Sequence, residues 1–134
     1  MIKGKDFKQA KLVNIELDKE RPLTFDFNAL CELQDHYIDP FVAVNGMATG
    51  DVKCLRALLY ASLLAGHLVE KENEEFDLTL NQVGRYLGQI MAADKKYYEE
   101  IFEVIIDGIT LFFPQLKQED NSKEESKEDE DSKN

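Results

Sequence analysis

Glu32 and His36 stand four residues apart in Cys31-Glu32-Leu33-Gln34-Asp35-His36. On a helix this spacing puts a carboxylate and an imidazole on one face, where both could reach a metal ion. A metal site needs three or four convergent ligands, and neither an HExxH motif nor a second His–carboxylate cluster accompanies the pair. A surface histidine is the simpler reading. His67 falls at the end of a long apolar run, where an imidazolium would suit the negative end of a helix dipole. Cys31 and Cys54 lie in apolar helical patterns and read as small buried hydrophobes in a reducing compartment. Neither thiol belongs to a nucleophile motif. Gly46 to Asp51 contains glycine but lacks the Gly-Lys-Ser/Thr that builds a phosphate loop. Glu74-Glu75 and Glu99-Glu100 read as solvated faces, since nothing points to a cleft in which they could act as acid and base. The chain is therefore expected to be no enzyme, with no catalytic, metal or cofactor-binding residues.

The elements that would hold these residues are mostly helical. Asp51 can cap a helix that runs through Val52, Leu55, Leu58, Leu59 and Leu63. Ala57, Ala61, Ser62 and Ala65 make it apolar nearly all round, so other elements must wrap it. Gly66 is the expected stop. Before it, Leu12–Leu17 and Leu23–Phe27 alternate around a charged turn, Asp18–Pro22, and predict a hairpin. Asn28 is the expected cap of a helix over Ala29–Tyr37. Phe41–Val44 reads as one or two helical turns, and Asn45–Gly50 as a loop. After a charged loop anchored by Phe76, Thr79 and Gln82 match a capping box opening a helix with Leu80, Val83, Leu87, Ile90 and Met91. Gly84 and Gly88 form a GxxxG pattern, read as close helix packing. A last helix starts near Asp94 and ends at Pro114. The expected fold is mainly α: a compact bundle of four or five helices with a small N-terminal β-hairpin.

Length and charge bound the rest. At 134 residues one domain is expected, and the net charge is −11. Residues 115–134 carry eight acids and four lysines and only one leucine. They cannot bury enough apolar surface to offset ordering entropy, so a domain over 1–114 and a disordered acidic tail over 115–134 are expected. The acidic surface opposes phosphate, which argues against nucleic acid. The low-charge run Ala57–Val69 is too short to span a bilayer, so no membrane is expected. No charged and apolar leader opens the chain, so secretion is not expected either.

The last helix holds more apolar surface than a hairpin and three modest helices need. With Tyr98 at its start, Ile101, Phe102, Ile105, Ile109, Phe112 and Phe113 form a wide stripe, with Glu99, Glu100, Glu103 and Asp107 largely on the other face. Core packing accounts for much of such a stripe. The surplus marks these six residues as the candidate partner-binding surface, a groove or the face of a homo-oligomer.

Three segments resemble one family. Thr24-Phe25-Asp26-Phe27-Asn28-Ala29-Leu30-Cys31-Glu32-Leu33 is similar to the "TFNALCELE" segment of tail assembly chaperones from long-tailed phages and prophages of Gram-positive bacteria. Gly50-Asp51-Val52-Lys53-Cys54-Leu55-Arg56-Ala57-Leu58-Leu59-Tyr60-Ala61-Ser62-Leu63 looks like their "GDVKALRALLYAGL" segment. Leu78-Thr79-Leu80-Asn81-Gln82-Val83-Gly84 is similar to their "LTLEEVG" helix start. The likeness covers roughly residues 23 to 91 in order. The basic N-terminus, the Asp39–Asn45 stretch and the tail depart from it.

The resemblance implies a non-catalytic role in phage tail assembly in the cytoplasm of the bacterial host, with no place in the mature virion. Such chaperones bind the long, aggregation-prone tape measure protein before tail tube subunits polymerise around it. Many of their genes make a longer product by ribosomal frameshifting, and the extension is thought to recruit the tail tube protein. Ser132-Lys133-Asn134 can be encoded across a slippery A-AAA-AAC heptamer. The family offers no catalytic residues to carry over. The alternative is a structural tail or connector subunit that stays in the virion.

Overall fold

The structure is a computed structural model that describes residues 4–5, 7–36 and 39–116. Two strands, β1 (Leu12–Glu16) and β2 (Glu20–Thr24), form an antiparallel hairpin. Five helices follow in full among the described residues: α1 (Phe27–Asp35), α2 (Pro40–Thr49), α3 (Val52–Glu70), α4 (Leu80–Ala93) and α5 (Lys95–Phe112), and residues 114–116 are helical as well. The expected mainly helical bundle with an N-terminal hairpin is what the chain forms. The expected disorder of the tail falls, from residue 117 on, outside the described residues, as does Tyr37. Leu116, assigned to the tail by its composition, is buried against the domain.

The centre of the molecule is α3. Asp51 caps it as expected, its carboxylate accepting from the N–H groups of Lys53 and Cys54. Leu55, Leu58, Leu59 and Leu63 are buried along it. Each such side chain contributes about 1.5–3 kcal/mol relative to exposure. β2, α1, α2, α4 and α5 all pack against this one helix. At 19 residues α3 has the length and hydropathy of a membrane-crossing helix, longer than the run counted from its uncharged residues, and most of it is covered by the rest of the chain.

Gly66 does not stop α3; the helix runs four residues past it, to Glu70. Its role is close approach. A Cβ there would overlap the backbone carbonyl of Pro22, so the missing side chain lets β2 lie directly on the helix. β2 also starts three residues earlier than its alternation suggests. Arg21 sits within it, opposite Ile15, and its guanidinium donates to Asp18 (Nε to Oδ1, 2.6 Å) and to Asp77 (Nη1 to Oδ1, 2.7 Å). This charge-assisted fork draws the strand start forward. Pro22 is tolerated because a two-stranded ribbon leaves each strand an open edge.

Phe27 turns out of the hairpin face and into the first turn of α1, where it is 64% exposed. Asp26, not Asn28, is the cap, accepting from the Ala29 N–H at 3.0 Å. Cys31 is exposed on this helix, against expectation, and Cys54 is buried. The α1 face that packs inward is Ala29, Leu30 and Leu33. The stretch read as a loop over Asn45–Gly50 is the second half of α2. Asp39 caps that helix, Pro40 opens it and Gly50, at φ 76°, ends it.

The Thr79–Gln82 capping box forms in full at the start of α4. Asp94 ends α4 and caps α5, accepting from the Tyr97 N–H. Tyr97 then ties α5 to the hairpin. Its hydroxyl accepts from the Glu16 N–H at 2.7 Å and donates to the Glu16 carbonyl at 2.9 Å.

Candidate protein-binding grooves

Four of the six stripe residues expected to meet a partner are core. Ile101, Phe102, Ile105 and Ile109 are buried. Where Gly108 faces the end of the hairpin, a Cβ would overlap the Phe25 carbonyl, so α5 is seated as tightly there as α3 is under β2. A folded monomer therefore does not offer these four side chains freely to a partner. Phe112 and Phe113 are half-buried and spend their faces on other rings. Phe112 meets Phe27 edge-on at 5.9 Å, and Phe113 meets Phe41 at 5.5 Å.

The accessible part of α5 lies one step round the helix. Tyr98, Phe102 and Ile106 recur every four residues and form a ridge. Facing them across a groove of about 340 Å³ are Val44, Met47 and Ala48 of α2. Ile106 is 38% exposed and Tyr98 half-buried, while Phe102 is buried beneath them. Glu99 and Glu103 stand along the rim. The groove is apolar within and acidic at its lip, the form of a site for a helix with an apolar face and basic flanks. Reading Asn45–Gly50 as a loop hid one wall of it. Asp39-Pro40 as a helix start and Gly50 as a helix end, taken together, were the signals that could have found that wall.

A second groove, of about 420 Å³, separates the first half of α3 from α4. Val52, Leu55, Leu87 and Met91 give it apolar walls, and Gly84 and Gly88 lie along α4. Lys53 and Arg56 stand at its edge. Of the GxxxG pair, Gly84 packs against α3 as expected, and among the described residues Gly88 does not seat a helix. The Arg56 side chain crosses Gly84, and nothing comes within 4 Å of where a Gly88 Cβ would be.

The polar cleft at the hairpin, of about 150 Å³, is a structural clamp. Arg21 holds both Asp18 and Asp77 below the usual carboxylate range, chiefly through its hydrogen bonds, and Lys19 adds a 3.3 Å contact to Asp77. Asp18 in turn raises the Arg21 guanidinium further. His67 is buried, and its Nε2 lies 2.7 Å from the Glu74 carbonyl. It pins the loop after α3, where Phe76 packs at 5.4 Å from His67 and 5.6 Å from Tyr60. His67 falls in the last turn of α3, at the helix end where it was expected, and the Glu74 contact adds a fixed role there.

His36 Nε2 is 3.5 Å from Glu32 Oε1, a loose contact rather than a hydrogen bond, and the ring meets Tyr60 edge-on. Burial pushes the Cys54 thiol up, which disfavours the thiolate. Among the described residues no three His, Cys, Asp or Glu side chains converge as metal ligands. Comparison with protein-family models, with curated proteins and with solved structures finds no match to the chain.

Proposed function

We propose that the chain is a tail assembly chaperone of a long-tailed phage or prophage, non-catalytic, that holds apolar helical segments of the tape measure protein. The observation that carries this reading is the apolar groove between α2 and α5, open along Ile106 and rimmed by Glu99 and Glu103. Such a groove suits one face of an amphipathic helix, and the resemblance implies a tape measure partner that is long, helical and aggregation-prone. The resemblance over residues 24–33, 50–63 and 78–84 supports the same reading. On it, the protein acts in the host cytoplasm and leaves before the virion is complete. A frameshifted longer product would bring in the tail tube protein, and the gene's codons for Ser132-Lys133-Asn134 test that part directly.

The test is co-expression with the tape measure protein encoded in the same genome. The expected result is soluble tape measure protein that co-purifies with the chain. Ile106→Asp should abolish co-purification while the circular dichroism spectrum is kept. Tape measure protein that stays insoluble beside a folded, abundant partner contradicts the proposal. So does finding the chain in purified particles by mass spectrometry, which would favour a structural tail or connector subunit.

A further inference from the structure

We propose that the groove between α3 and α4 is a second docking site, for a partner helix with an apolar face and an acidic flank. The site is separate from the α2–α5 groove and does not depend on the chaperone reading. Its walls carry large apolar side chains left in water: Val52 is 66% exposed and Met91 41% exposed. Leu55 and Leu87 form the floor. Open space over Gly88 would let a helix backbone come close to α4.

Charge selects the occupant. The chain carries a net −11, yet the side chains lining this groove include Lys53 and Arg56 and no acid. Neither base has a carboxylate within ion-pair distance among the described residues. Arg56 is half-buried, its stem lying across Gly84: a Cβ there would fall 2.8 Å from Arg56 Cδ. This places a cation at the lip of an apolar trough, complementary to a helix with glutamates beside its apolar face. A second copy docking groove to groove would set these bases against their own kind. The chain's own residues 117–134 are acidic but hold no large apolar side chain to fill the floor.

The test uses the full chain and two synthetic helical peptides with one Ala/Leu face, flanked by glutamates in one and by lysines in the other. Fluorescence anisotropy should show the glutamate peptide binding and the lysine peptide binding at least about tenfold more weakly. Gly88→Leu fills the trough and should weaken the glutamate peptide at least about tenfold. Lys53→Glu with Arg56→Glu should reverse the preference between peptides, and it keeps the proposal falsifiable should the leucine disturb the fold. Ile106→Asp should change nothing. Equal affinity for both peptides overturns the proposal, as does no binding of the glutamate peptide or an unaffected, folded Gly88→Leu. A dimer in sedimentation that Gly88→Leu splits would make the occupant a second copy, and would overturn it as well.

Discussion

Helix α3 is closed along one side and open along another, and glycines mark both. Under the hairpin, Gly66 is filled by the Pro22 backbone, and Gly108 of α5 is filled in the same way by Phe25. Beside α4, Gly88 faces empty space. The closed side is also clamped electrostatically, with Arg21 forked between Asp18 and Asp77, whereas Lys53 and Arg56 on the open side have no such partner among the described residues. The same residue type therefore does opposite work. Where backbone occupies its missing side chain, glycine builds the fold. Where nothing does, glycine leaves room that the fold does not use.

Gly66→Val should break this contrast most severely. The new side chain collides with backbone that cannot rotate away, so a loss of about 4 kcal/mol or more is expected, read by urea denaturation. A smaller but still large effect is expected at Ile109→Ala, at about 2–5 kcal/mol, because the inner face of α5 belongs with the closed side. By the same argument, a charge at Ile105 should prevent folding rather than merely weaken a contact. Gly88→Ala should do the reverse of Gly66→Val. It sits in a helix with open space, so it should stabilise by about 0.5–1 kcal/mol.

The smallest effect at neutral pH is expected at Asp77→Asn, at or below about 1 kcal/mol, since half of the Asp77 side chain is in water. Its signature is in acid. Asp18 and Asp77 both have folded values below the unfolded value of about 3.9. Their stabilisation is fully present above that unfolded value and is lost as pH falls through the folded ones. Acid titration of stability should therefore fall less steeply below about pH 4 in the variant than in the parent.

Local signals in the chain predicted local structure well. Asp51 as a cap, the Thr79–Gln82 box and the Asp94 start each depend on residues within four positions. Some misreadings were local, as with Asn28 for the Asp26 cap and the loop over Asn45–Gly50, and the others came from partners far away in sequence. Arg21 belongs to the strand because Asp77 waits for it 56 residues later. Gly66 looks like a stop until Pro22 is laid over it. On the last helix the 101, 105 and 109 face, expected to meet a partner, turns inward. Ile106 is a neighbour of Ile105 in the chain and lies about 100° away around the helix. The packing of α3, α4 and β2 on α5 decides which of the two is free.

The central claim is that the hairpin side is finished and that a partner is held in the α2–α5 groove. Hydrogen exchange of the chain alone and with a tape measure segment tests it most directly. New protection should appear in residues 44–48 and 98–110, with the hairpin and the C-terminal half of α3 unchanged. Protection centred on the hairpin, or none at saturating partner, would contradict the account.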